Sequence, residues 1–221
     1  MIANLSVFNL TWPIRVSYSI LAKGIKALWF FCQNRAFRQQ PMRRICFPYN
    51  SERATQVVLW LLHKHGGSID KLKLVKLAFY ADREHLACYG RPIIGGSYKA
   101  MPHGPVSSEL LDHLDVATPQ ADLPFTTQGR CVSANQSVNE DKLSESDIEI
   151  LEKIDNEYGR HDPITLRNMT HELKAYKKNY PDINANTSNE LPYEDFFLDL
   201  KDNSILDIIS DNQEAWAELG W

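Results

Sequence analysis

Apolar residues recur at helical spacing through most of the chain. From Ile14 they fall at Tyr18, Leu21, Ile25, Leu28, Trp29 and Cys32, a one-sided stripe of the kind an amphipathic helix carries. After Pro48 the pattern starts afresh. Asn50 and Ser51 are good helix N-caps, and Ala54, Val57, Val58, Leu61 and Leu62 mark a helix that ends at Gly66-Gly67. A second helix is predicted to begin near Ser68–Asp70. It carries Leu72, Val75, Leu77, Ala78, Phe79 and Leu86 and stops near Gly90, where a left-handed C-terminal residue is expected. Residues 93–101 fit a short strand or hairpin with glycine turns. Pro105 is expected to open a third helix through Leu110, Leu111 and Leu114. Between 123 and 134, Gln128-Gly129 divides two short β-like runs. Ser144-Glu145-Ser146-Asp147 has the form of a capping box, with Leu143 as its hydrophobic staple. Ile148, Leu151, Ile154 and Tyr158 follow, and Gly159 closes that helix. Asp162-Pro163 caps the next, with Leu166, Met169 and His171. Pro181 ends the segment after it, residues 183–192 form an Asn- and Thr-rich loop, and two short helices near 193–201 and 204–218 finish the chain.

These elements predict a mainly α fold with a small β-hairpin or short sheet, in the α+β class. The expected organisation is one compact helical domain at residues 49–221 behind a basic amphipathic extension at residues 1–48. The 221 residues are 43% hydrophobic and 24% charged. Such values exclude collagen, mucin-like stalks and a wholly disordered chain. A core of about 150 residues buries roughly 70% of its unfolded surface, so neither a metal nor a disulfide is needed for folding. The four cysteines (32, 46, 88 and 131) contain no CxxC pair. That pattern points away from a zinc ribbon or thiol redox centre and toward a reducing, cytoplasmic setting without a bound cofactor.

Charge is unevenly spread. Residues 1–50 carry seven basic and no acidic side chains, residues 51–139 sum to +1, and residues 140–221 sum to −12. Three readings stay open for the basic head. It packs on the main domain, it lies on a membrane surface or partner, or it is an upstream extension of a working protein that starts near Met42. The apolar run is too short and too charged to span a bilayer, and it lacks a signal-peptide layout. Integral membrane association is therefore not expected, while peripheral contact by residues 14–32 stays open. Trp12, Trp29, Phe30 and Phe31 interleave with the basic residues, so operator DNA is a candidate partner of this head, although no helix-turn-helix spacing is evident.

The stretch Asp70–Leu114 reads DKLKLVKLAFYADREHLACYGRPIIGGSYKAMPHGPVSSELLDHL. Arg91-Pro92 forces an extended exit from the helix end, Gly95-Gly96 permits a tight turn, and Gly104-Pro105 changes the chain direction sharply. Together they are expected to set a polar-rimmed platform beside the face carrying Asp82, Arg83, Glu84 and His85. Its specific pieces resemble the Panacea domain, the SocA-like antitoxin family of bacteria and phages. They are Lys73-Leu74 with Lys76-Leu77, Phe79 to Arg83, His85-Leu86, Tyr89 to Ile93, Tyr98 to Met101, and Gly104-Pro105-Val106. Leu143-Ser144 and Thr170-His171-Glu172 extend the likeness downstream, so that it covers roughly residues 51–205 and leaves out residues 1–50.

The resemblance implies an antitoxin of a type II toxin–antitoxin system or a phage-defence system. Such a protein is expected to neutralise a toxin encoded by a neighbouring gene through stoichiometric contact, and the family has no established catalytic residues. Asp82, Arg83, His85, Tyr98 and His103 are the candidate partner-binding residues. Specificity is expected on the 115–140 region or the acidic C-terminal helices. The alternatives are a DNA-binding autorepressor, a phage-associated regulatory binding protein, or a metal-dependent hydrolase. The last would draw on seven histidines, with Glu84-His85 beside His103 as the one arrangement suited to a metal or acid/base site. HExxH, GxSxG and phosphate-loop motifs are absent, so no catalytic or metal-binding residues are assigned.

Overall fold

The computed structural model describes residues 44–182, 186–199, 205, 206, 208, 209, 211 and 212. The amphipathic stripe and most of the basic head expected at the N-terminus lie outside the described residues, as does most of the last predicted helix. What is described belongs to the unit Arg44–Trp221. Its fold is mainly helical with two small antiparallel sheets of three strands each, as the apolar pattern predicts.

Helix α1 spans Ser51–Lys64, and the Asn50 side chain accepts from the Arg53 amide at 2.9 Å. Strand β1 is Ser68–Asp70 and helix α2 is Lys71–Tyr89. Strands β2 (Tyr98–Met101) and β3 (Gly104–Ser107) form a hairpin that leads into α3, Ser108–Val116. A second hairpin joins β4 (Phe125–Gln128) to β5 (Cys131–Ala134) across the predicted Gly129 turn. Helices α4 (Glu145–Tyr158), α5 (Pro163–Glu172) and α6 (Lys174–Asn179) follow. The capping box of Ser144 and Asp147 is formed at the start of α4. Strand β6, Asn189–Glu190, precedes a 3₁₀ helix at Tyr193–Asp199.

Three boundaries differ from expectation. Ser68 and Ile69 pair with Ser133 and Val132 as strand β1, and only Asp70 serves α2, accepting from the Leu72 and Lys73 amides. Pro105 lies in β3 opposite Ala100 and does not start α3. Its fixed φ suits an edge strand as well as a first helical turn, and the helix is opened by Ser107, which accepts from the Leu110 amide. Within the expected loop at 183–192, Asn189 and Glu190 add to the free edge of β2.

Helix α2 is the central element of the described unit. Leu74 to Asp82 form an unbroken buried run, the signature of a helix surrounded on all sides. Phe79 meets Phe196 at 5.4 Å between ring centroids, and Tyr98 meets Phe196 at 5.2 Å and Tyr193 at 5.7 Å. The 3₁₀ helix thus closes an aromatic cluster over the centre of α2. Among the described residues, no helix is long and apolar enough to cross a membrane.

Two hairpin glycines differ in what surrounds them. Both hold positive φ, +90° at Gly104 and +60° at Gly129. A methyl group at Gly104 would sit 2.6 Å from the Thr170 hydroxyl and 3.0 Å from Lys76 Nζ, whereas one at Gly129 would meet nothing within 4 Å. Gly129→Ala should therefore cost about 1 kcal/mol, for left-handed backbone alone. Gly104→Ala should cost about 3 kcal/mol or more, because crowding adds to strain. Urea unfolding of both variants checks this, and equal losses would contradict it.

Candidate functional site

Asp82 projects from α2 under the loop that leaves the helix. Its carboxylate accepts from the amides of Ile93 (2.9 Å), Ile94 (2.9 Å) and Gly95 (3.0 Å) and from the Tyr98 hydroxyl (2.9 Å). Burial pushes the Asp82 carboxyl up to about 6, and these four hydrogen bonds oppose the rise. The loop's backbone donors are thus satisfied by one side chain where no strand partner exists. Gly95 fits here because a side chain at its φ of +73° would run into the Pro48 carbonyl.

His85, one turn further along α2, belongs to a second buried network. Its Nδ1 donates to the Arg91 carbonyl at 2.7 Å, and its Nε2 faces the Ser146 hydroxyl at 3.0 Å and Asp147 Oδ1 at 3.1 Å. Arg91 donates to Asp147 at 2.9 Å, the Ser144 amide does so at 2.9 Å, and Arg53 approaches to 3.5 Å. One carboxylate therefore joins α1, α2, the loop after α2 and the start of α4.

The structure places the residues of the expected contact surface at different depths. Asp82, His85 and Tyr98 are buried, at 1%, 0% and 2% exposure, and their polar atoms are taken up by the two networks. Arg83 is partly buried. It donates to the Phe196 carbonyl at 3.3 Å and lies 3.8 Å from Asp199, so it ties the 3₁₀ helix to α2. Of the five candidates, His103 alone is exposed. Nor do Glu84, His85 and His103 assemble a metal or acid/base site. Glu84 pairs with Lys153, His85 faces α4, and His103 sits at the tip of the β2–β3 hairpin. Among the described residues, no three His, Cys, Asp or Glu side chains are grouped to hold a metal.

His103 instead rims a cleft of about 530 Å³ where α2, the β2–β3 hairpin, α3 and α5 meet. Leu72, Val75, Met101, Val106, Leu111 and Ile164 make its apolar walls. Lys71, Lys76, Arg130 and Arg167 are its charged residues, and no described carboxylate lines it. Lys71 is paired with Asp115, and Arg130 with Asp70 at 3.1 Å. Lys76 and Arg167 have no ion pair among the described residues. Lys76 is 1% exposed and donates to the Pro105 carbonyl at 2.6 Å. Burial, and after it the charge of Arg167, holds its ammonium well below the ordinary lysine value. Arg167 donates to the Pro102 carbonyl at 3.4 Å, and its Nε is buried without a hydrogen-bond partner. His171 stacks on Tyr176 at 4.4 Å with its Nε2 also unpartnered. Burial, then Arg167, Lys76 and His103, push its imidazole down to about 4.

Pieces of the motif that lie far apart in sequence converge here: Lys76 from α2, Gly104-Pro105-Val106 from the hairpin, and Thr170-His171 from α5. Sequence reasoning missed Lys76 and Arg167. A signal for Lys76 was present, since it stands four residues after Leu72 and three before Phe79 on the apolar stripe. Arg167 has no comparable mark.

Comparison with protein families matches residues 74–177 to the model described as antitoxin SocA-like, Panacea domain. The match is narrower than the likeness drawn from the motifs, and it includes every residue that forms the Asp82 network. Comparison with curated proteins and with solved structures found no match.

The Asp147 network has a defined pH signature. Burial alone would raise this carboxyl, but hydrogen bonds from His85 and the Ser144 amide, with the charge of Arg91, outweigh it and hold it well below the usual range. A depressed folded value means that the stabilisation is complete above the unfolded value of about 4 and is lost as pH falls through the folded one. Asp147→Asn should therefore cost about 3 kcal/mol at pH 7. The gap between variant and wild type in urea unfolding should hold down to about pH 5 and shrink below about pH 4. A gap that grows in acid would contradict this origin.

Proposed function

From the premise that residues 74–177 are a SocA-like Panacea antitoxin domain, we propose that this protein is the antitoxin of a bacterial or phage type II toxin–antitoxin pair. It acts in the cytoplasm on a protein toxin encoded by a neighbouring gene, and it neutralises that toxin by direct binding rather than by catalysis. The family match is the observation that carries this reading. It is supported by where the motif residues fall. Asp82, His85 and Tyr98 stiffen the domain from within, which suits a scaffold that presents a preformed surface and loses little entropy on binding.

Neutralisation by occupancy has an arithmetic. Holding free toxin near about 1% of its total requires free antitoxin near about 100 Kd. Protection must therefore end once toxin exceeds antitoxin, whereas an enzyme would protect at any catalytic amount.

The test is co-expression of the chain with each neighbouring open reading frame. One neighbour should arrest growth alone and be tolerated together with this protein, and the pair should co-purify at a fixed molar ratio. Titration of the purified toxin should reach its end-point at that same ratio. Harmless neighbours together with no binder among a panel of toxins would overturn the antitoxin reading. Protection at far below stoichiometric amounts would overturn the binding mechanism.

A further inference from the structure

The cleft between α2, the β2–β3 hairpin and α5 carries positive charge that the described part of the fold does not answer. Lys76 is buried, and among the described residues its partner is the Pro105 carbonyl. Arg167 shares the same wall, and among the described residues it has no carboxylate within ion-pair distance and its Nε has no acceptor. Taking a cation out of water without a counter-charge is costly, which favours the neutral amine at Lys76 in the free protein, and an anion placed beside it would favour the ammonium. Gly104 is what admits this arrangement, since any side chain there would displace Lys76 or Thr170.

The walls narrow the choice of counter-charge. Six apolar side chains line the cleft, so a small hydrated anion would leave them wet. A ligand that fills the site must carry an apolar body to cover them, which gains roughly 25 cal/mol per Å² removed from water. It must also carry a carboxylate to face Lys76 and Arg167. Ile164 stands at the mouth at 50% exposure, and His103 beside it is exposed, so the cleft opens onto the surface. Phosphate-rich nucleic acid meets the charge requirement but not the apolar one.

We infer that this cleft is the slot into which the partner protein inserts an apolar side chain carried next to a carboxylate. The inference deepens the antitoxin reading and rests on it for the identity of the partner. Lys76 and Arg167 become the charge-assisted donors of the contact, a kind about twice as strong as a neutral hydrogen bond. Leu72, Met101 and Ile164 become its apolar seat. Once the partner's apolar side chain covers the cleft, salt should screen this contact less than it screens pairs on the open surface.

The test has two arms and uses the full chain in both. In the first, the protein is titrated with octanoate, and with octylamine as a probe of equal length and opposite charge, while the Met101 and Ile164 methyl signals are followed by NMR. Octanoate should move both methyls, and octylamine should leave them in place. Equal responses to the two probes, or none to either, would overturn the slot. In the second arm, the toxin found by co-expression is titrated against wild type, Arg167→Gln, Ile164→Asp and, on α4, Lys153→Gln. Arg167→Gln and Ile164→Asp should each weaken binding about tenfold or more, with Lys153→Gln unchanged. Ile164 is exposed, so its variant should retain the fold even if Arg167→Gln does not. A complex that forms with unchanged affinity in a folded Ile164→Asp variant would overturn the slot and leave the antitoxin reading intact. The absence of any toxin would remove that reading, and the octanoate arm would then decide the chemistry of the cleft by itself.

Discussion

A buried carboxylate sets the geometry on which the rest of the domain is built. Asp82 takes the amides of three consecutive loop residues and a tyrosine hydroxyl, and so turns an irregular segment into a fixed one. That segment delivers the chain into β2 at a defined place beside α2. The hairpin that follows must then turn at Gly104, close against Lys76 and Thr170. One carboxylate with four donors thereby fixes the distance between α2 and the hairpin, and with it the shape of the cleft.

The two polar networks and the cleft stand in contrast. Asp82 is held by four neutral donors, and Asp147 by the Arg91 guanidinium, His85 and the Ser144 amide, so both buried carboxylates are hydrogen-bonded, as a low-dielectric interior requires. In the cleft, Lys76 and Arg167 share a wall with His103 and have no ion pair among the described residues. Hydrogen-bonded carboxylates in the interior and unanswered basic groups at a concave surface divide the domain into a part that holds shape and a part free to receive something. Lys76 stands on the border between them, since it rises from the central helix yet lines the cleft.

Much of the fold was legible in the sequence. The caps at Asn50, Ser144 and Asp162, the stop at Gly90 and the Gly129 turn all follow from local chemistry. Local chemistry also explains the misplacements. Pro105 suits both an edge strand and a helix start, and only its pairing with Ala100 across β2–β3 decides between them. Ser68 and Ile69 gain their strand from residues more than sixty positions away, beyond the reach of periodicity. The site was less legible. Asp82, His85 and Tyr98 are polar or amphipathic residues of a motif, and polarity suggests a surface until the partners that satisfy them inside are known. The cleft depends on α5 meeting the hairpin, a contact that no short window of sequence contains.

The central claim is that the motif's polar residues build the scaffold while the basic-rimmed cleft meets the partner. Hydroxyl-radical footprinting of the protein, alone and bound to the toxin proposed as its partner, tests this most directly. The account predicts strong protection of Met101, Leu111 and Ile164 in the complex, with Tyr89 and the outer face of α4 equally reactive in both states. Protection centred on Tyr89 and α4, with the cleft residues unchanged, would contradict it.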